Sequence, residues 1–326
     1  MRSLGPALVL FIAACGGGDP NSHDFGPYDL APFEEQTDTC VQITLHNQEP
    51  IYVNAVELTT GPGFHHSNWF WVPESTFFGP DGSFPCGDRN YNEATAAVFG
   101  GVLFAQSTQA PHEIQQFPGG AVVTIPPRSK IFSQIHLLNP NETPLHIEPN
   151  ITITPIADRD VTTRLNGMSF ENHALALPPE MQSKFTLECD LAAIQSTDFR
   201  LYYALAHYHA LGIQLDIDAI KADGTSTSVF TTTSKIGDVL GGPIDPLFEM
   251  GAYQKLRFSC TFYNPSSNVV RWGTGDQEMC VFLAFTDSKF EWGGGVIDDT
   301  DPLNPVMVGN EMQYTNPCLV IATDTL

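Results

Sequence analysis

The sequence predicts an all-β chain with two domains of sandwich size. Short apolar runs rich in β-branched and aromatic residues recur along it, among them CVQITLHN, YVNAVELTT, AVVTIPP, ITITPIA, RLYYALAHYHALGIQLDIDAI and CVFLAFT. They alternate locally, and Gly, Pro, Asn and Asp break them, which is the pattern of strands and turns. The chain also carries 27 glycines and 25 prolines, which leave little room for long helices. About 290 residues remain after the first 36, enough for two sandwiches.

The N-terminus reads as an address. Arg2 precedes an apolar run, Leu4 to Ala14, that is too short to span a bilayer as a helix and ends at Ile12-Ala13-Ala14-Cys15. Residues 1–15 are therefore expected to be a lipoprotein signal peptide, with Cys15 lipidated and the mature protein exported to the bacterial cell envelope. An ordinary signal peptide cut nearby is the alternative. Residues 16–36, rich in Gly, Pro, Asn and Asp, read as a flexible tether. The first domain is expected over 37–158 and the second over 159–326, divided at the charged break Ala157-Asp158-Arg159-Asp160 that follows ITITPI.

Export makes the cysteines legible. Setting Cys15 aside leaves Cys40, Cys86, Cys189, Cys260, Cys280 and Cys318, an even number that suits up to three disulfides. None stands in a C-x-x-C pair, which argues against a cysteine-built zinc or redox site. The formal charge of −23 excludes nucleic acid as a partner, because phosphate binding needs clustered Lys and Arg. Membrane association is expected through the lipid anchor alone.

Ten histidines remain to be placed. His207 and His209 lie two apart in a strand-like run, so both imidazoles face one way and could share a metal, or be two half-buried polar residues. His65 and His66 are adjacent in TTGPGFHHSNWFWVPE and would face opposite ways on a regular strand. A shared ion there needs a bulge, which Gly61-Pro62-Gly63 could supply; a surface His-His in a loop is the other reading. His136 stands alone in the apolar strand IFSQIHLLNP, where a hydrogen-bonded core histidine is the ordinary reading. Met279 precedes Cys280 in RWGTGDQEMCVFLAFT; it is core packing or a soft thioether ligand of the kind that selects copper.

Taken in order, GFHH, QIHLLNP, AHYHALG and DQEMC resemble the copper type II, ascorbate-dependent monooxygenases, the family of peptidylglycine α-hydroxylating monooxygenase and dopamine β-monooxygenase. The resemblance covers about residues 36–320. It implies two antiparallel, jelly-roll-like β-sandwich domains facing across an open, wet cleft, with a copper ion on each wall. It assigns His65, His66 and His136 to an electron-transfer copper, and His207, His209 and Met279 to the oxygen-activating copper where catalysis occurs. It further implies the bridges Cys40–Cys86, Cys189–Cys318 and Cys260–Cys280, with O₂ and ascorbate or a similar one-electron reductant as co-substrates. The expected activity is hydroxylation of a C–H bond in a small molecule; the alternative is a non-catalytic, copper-buffering surface lipoprotein.

The match departs at one place. Where the peptide hydroxylases hold a substrate carboxylate with Arg, Asn and Tyr, this chain has Leu205, Val281 and Leu283. A carboxylate desolvated there would lack a partner, so an uncharged or apolar substrate is expected instead. Tyr202, Tyr203, Tyr208 and Phe282 line either that substrate or the sandwich core. His23, His46, His112, His146 and His173 match no ligand position and are expected in surface or turn roles.

Overall fold

The structure, a computed structural model, describes residues 19–296 and 305–324; Cys15 and its lipobox lie outside them. The strands that position the site are β1 (Glu35–Thr44), β2 (Ile51–Thr59), β3 (Phe64–Pro73), β4 (Gly101–Ala105), β5 (Ala121–Ile125), β6 (Ser129–Leu138), β7 (Thr163–Glu171), β8 (Met181–Asp190), β9 (Arg200–His207), β10 (Gly212–Ile220), β11 (Lys255–Asn264), β12 (Val281–Thr286), β13 (Phe290–Val296) and β14 (Glu311–Asp324). One short α-helix, α1 (Glu93–Phe99), is present among the described residues, its first turn capped by the Asn92 side chain. The chain is all-β, as its punctuation by Gly and Pro requires. No helix among the described residues is long and apolar enough to cross a membrane.

In the first half, the strand Gly82–Pro85, β1, β6, β3 and β4 form an antiparallel sheet in that order. It packs on a second sheet built around β2 and β5. In the second half, β9, β12, β7 and β13 form one wall, and β8, β11 and β10 the other. The fourteen-residue β14 belongs to both: its end pairs with β13 and its beginning with β8. The halves join edge to edge, where β5 runs parallel to the start of β7.

The segment read as a tether is folded from Ser22 onward. Ser22–Asp24 pairs with Asn150–Thr152, and Tyr28–Leu30 pairs with Leu145–Ile147. Phe25, Tyr28 and Leu30 are buried in the first core, and burying three large apolar side chains outweighs the turn-forming residues around them.

Each half has its own core, and the second also lends residues to the first. After an irregularity at Tyr202, β9 alternates: Ala204 and Ala206 enter the second core, whereas Tyr203 and Leu205 join the first together with Phe285. Phe117 packs on Tyr203 and Phe285 at centroid separations of 6.3 and 4.9 Å. The contact between the halves is therefore apolar and aromatic, which is the way associated rather than independent surfaces are built.

All three implied bridges are formed: Cys40–Cys86, Cys189–Cys318 and Cys260–Cys280. Disulfides of this number belong to a protein that folds in an oxidising compartment. Two of them tie the second half, with one spanning 129 residues, and each such loop contributes about 2–4 kcal/mol. Reduction should accordingly expose the amides of β8, β11 and β14 before those of β3 and β6. Hydrogen exchange on the reduced protein checks this, and equal loss of protection in both halves would contradict it.

Candidate metal centre

The first three histidines meet because β3 is bulged. Across the β3–β6 ladder His66 faces His136, but the next pair is Phe64 with Leu137, so His65 is the extra residue. A bulge turns two consecutive side chains toward one side, as the adjacent pair requires. Gly63, at φ +90°, leads into it, and a Cβ there would lie 2.8 Å from the Leu145 side chain. Ligand nitrogens of His65, His66 and His136 lie within 4.8 Å of one another.

His207 ends β9, and His209 follows in the turn to β10. This pair stands against the first set rather than across an open gap. Ring centroids are 4.7 Å apart for His66 and His207, 5.2 Å for His65 and His209, and 5.4 Å for His207 and His209. The wet separation of the two ligand sets that the resemblance implies is thus absent here: the five imidazoles form one cluster, and the cleft opens beside it. The aromatic contact described above draws the walls together, and the turn Gln106–Ala110 fixes them. The Gln109 N–H donates to the His65 carbonyl (2.6 Å), while the Thr108 hydroxyl donates to the Tyr208 carbonyl (3.0 Å). The Ser107 hydroxyl accepts from the Leu240 N–H (2.7 Å) and donates to Glu113 (2.8 Å).

The imidazole tautomers follow from their partners. His136 places Nε2 2.8 Å from the Glu35 carboxylate, and His209 places Nδ1 2.8 Å from the Gln277 carbonyl. Both partners accept only, so those nitrogens carry the proton. His207 Nδ1 is 3.2 Å from the Thr108 hydroxyl; that hydroxyl spends its proton on Tyr208 and therefore accepts from His207. Each ring is left with an unprotonated nitrogen, His136 Nδ1, His207 Nε2 and His209 Nε2, and these three buried atoms have no hydrogen-bond partner. The three residues are only 4–5 % exposed. Buried lone pairs without donors are costly, and a metal ion is the partner that satisfies several at once. Orienting each ring through its far nitrogen is how proteins prepare histidine ligands.

Burial keeps His65, His66, His207 and His209 neutral. The His65 imidazole is pushed down to about 3 by desolvation first and by the neighbouring His136 and His209 second. His66 and His207 are held well below the usual range by the same causes, and desolvation lowers His209 as well. Glu278 is 1 % exposed, and its carboxylate accepts the backbone N–H groups of His209 (2.8 Å) and Leu211 (2.7 Å), fixing the turn that carries the pair. Desolvation raises it to about 7. Met279, directly after it, is half-buried and lines the cavity with His66, His136 and His207.

That cavity, about 620 Å³, lies between the β3–β6 sheet and the β12–β7–β13 wall. Val281 and Leu283 line it, whereas Leu205 is packed into the core between the halves. Tyr202, Tyr203, Tyr208 and Phe282 are core residues and none lines the cavity. The remaining histidines stay away from the cluster. His112 pairs with Glu57 and His146 with Asp29, each at 2.7 Å, His23 sits in the edge strand Ser22–Asp24, and His46 takes a positive φ in a turn. His173 goes beyond a turn role, holding the cavity residue Glu171 at 2.6 Å and packing on Trp272. Sequence reading missed Glu35, Thr108, Glu113 and Glu278 as supports. Glu278 stands inside DQEMC and was within reach; Thr108 acts across 99 residues and left no local signal.

No protein-family model matches the chain, and no curated protein matches it in sequence. Among solved structures it is similar to PNGase F, a glycosylasparaginase from Flavobacterium meningosepticum, at 6% identity and TM-score 0.37, covering 92% of this chain and 99% of that one. It is also similar to the major capsid protein P2 of bacteriophage PM2, at 8% identity and TM-score 0.30, covering 82% and 97%.

Two outcomes are expected. Thr108→Val removes the acceptor that sets His207, so metal held by His207 and His209 should weaken by on the order of 10–100-fold, with binding at His65, His66 and His136 unchanged and Thr108→Ser restoring it. Copper(II) titration followed by spectroscopy distinguishes the sets; equal weakening of both would contradict the assignment. Because His207 and His209 resist protonation, copper uptake by that pair should persist at pH 5.5, where an ordinary imidazole is about nine-tenths protonated. A binding midpoint near pH 6.5 would show instead that the imidazoles titrate normally.

Proposed function

We propose that the protein is an exported, lipid-anchored copper monooxygenase that hydroxylates a C–H bond of a small molecule, using O₂ and an ascorbate-like reductant. One observation carries the reading: buried imidazoles with their lone pairs fixed and unpartnered stand beside a thioether at the head of a largely apolar cavity. Imidazole and thioether donors suit copper, particularly Cu(I), whereas calcium and magnesium need oxygen ligands. All six cysteines other than Cys15 are bridged, so no thiolate competes. Copper ions bound there, two per chain on the assignment of His65, His66 and His136 to one and His207, His209 and Met279 to the other, would supply one-electron chemistry and O₂ activation. The overall balance is R–H + O₂ + 2 e⁻ + 2 H⁺ giving R–OH and water, with the electrons drawn from the reductant.

The chain's own contribution is orientation and exclusion of water. Glu35, Thr108 and the Gln277 carbonyl hold three rings in their donating tautomers. Glu278 fixes the His207–His209 turn, and Val281 and Leu283 keep water from the face where substrate would lie. Copper buffering alone gives no reason for a 620 Å³ cavity next to the ligands. Cys15 would provide the anchor.

Met279→Leu tests the reading, because it keeps most of the volume and removes the sulfur. Coupled O₂ consumption and product formation should be lost across a panel of small substrates. Ascorbate should still reduce copper held by His65, His66 and His136. Full turnover by a folded, copper-replete Met279→Leu variant would make Met279 a packing residue and sink the assignment.

A further inference from the structure

The cavity carries charge that the metal centre does not use. Alternation along β7 turns Gly167, Ser169 and Glu171 toward it, beside Val281 and Leu283 of β12. Glu93 enters from α1 on the opposite wall, where the Asn68 amide donates to it at 3.3 Å. Glu291 enters from β13 next to Thr323. No lysine or arginine lines the cavity. No hydrogen bond or ion pair among the described residues reaches the Glu291 carboxylate, and Glu93 has only a neutral amide. Burial lifts both to about 7, with Glu171 a further cause at Glu93.

The carboxylates are also spaced. Glu171 stands opposite Gly295 in the parallel β7–β13 pair, four residues along β13 from Glu291, a separation of roughly 13 Å at the rise of a strand. Glu93, close enough to feel Glu171, belongs to that end. Between the two poles the wall is bare: a Cβ built on Gly293 would meet nothing closer than the Ser169 carbonyl at 3.8 Å. At the same time His136 Nδ1 and His207 Nε2, nine-tenths buried and unpartnered, belong to side chains that line this space. It is therefore a ligand space, with reacting groups at one end, and not merely an acidic surface.

We propose that the cavity takes an elongated organic dication, an aliphatic diammonium, with one ammonium group between Glu93 and Glu171 and the other at Glu291. Its methylene chain lies over Gly293 against Val281 and Leu283, which brings a C–H bond past His207 and Met279. Two unpaired carboxylates in a low-dielectric pocket are expensive to ionise, and a ligand that neutralises both recovers that cost, whereas a monocation recovers only part of it. Naming this molecule as the substrate replaces the uncharged one that Val281 and Leu283 suggested, because three carboxylates line the same space, and rests on the monooxygenase reading; its binding does not.

Calorimetric titration of the full-length, copper-loaded protein without reductant, at pH 8, separates the two. The probes are α,ω-diammonium alkanes of four to ten carbons, the monoammonium and dicarboxylate of matching length, and the parent alcohol. The diammonium should bind tightest, with an optimum in chain length, at least about tenfold above the monoammonium, and the dicarboxylate should not bind. Glu291→Gln and Glu93→Gln should each reduce the diammonium to the affinity of the monoammonium. Neither should lower the unfolding midpoint, because each removes a buried unpaired charge. A monoammonium or alcohol that binds as well as the diammonium, or Gln variants that retain the preference, overturns the proposal. Selective diammonium binding with no coupled product when ascorbate is added would instead count against the monooxygenase reading and leave the binding site standing.

Discussion

The structure hangs on one crossing of the chain. At Thr108 and Gln109 a single turn of the first half grips both histidine sets, one through the His65 carbonyl and the other through the His207 ring and the Tyr208 carbonyl. The turn is itself held from beneath by Glu113, 1 % exposed, which accepts the Ser107 N–H at 2.6 Å and the Ser107 hydroxyl. Burial raises Glu113 to about 7 while these bonds pull it down. Every other feature of the site presupposes this contact. Were the walls apart, the His207 ring would lose the partner that fixes its tautomer, and the cavity would open along its head.

The rest of the chain supports that contact at a cost in stability. Four rings are kept neutral by desolvation, and Glu93, Glu113, Glu278 and Glu291 are lifted to about 7. The two groups act oppositely with pH. A raised carboxyl stabilises the fold below its unfolded value, and that gain is lost as pH climbs toward 7; a lowered imidazole penalises the fold as pH falls below 6.5. Neither is the choice of a sequence selected for stability alone. Disulfides and two large aromatic cores supply the compensation, which fits the general rule that strain collects at functional sites and is offset elsewhere.

Much of this was legible in the sequence. The strand periodicity, the three bridges implied by the resemblance and the bulge that a shared ion at His65-His66 would need all appear, and the alternative of a surface loop does not. Local pattern failed where the determinant was distant. Residues 22–30 look like a linker by composition, yet Phe25, Tyr28 and Leu30 find a core contributed by later strands. Leu205 looked equivalent to Val281 and Leu283, but β9 is buried on both faces, and its alternation sends Leu205 into the core between the halves. The triple glycine Gly293-Gly294-Gly295 inside a strand is the readable sign of a cavity wall.

The contrast between the donor sets has a structural counterpart in what surrounds each. His136 is backed by a carboxylate, Glu35, which strengthens its donation and suits a more oxidised, harder ion. His207 and His209 are backed by a hydroxyl and a carbonyl, both neutral, and the neighbouring thioether is the softest donor in the cavity. Glu278, beneath that pair, spends its oxygens on backbone N–H groups of the turn and not on either ring, and Glu35 reaches His209 only through space. A carboxylate is thus hydrogen-bonded to a ring of one set and to neither ring of the other, within a cluster whose rings nearly touch. On the proposed assignment of two copper ions, their preferred oxidation states would differ because of their supporting shells rather than their separation.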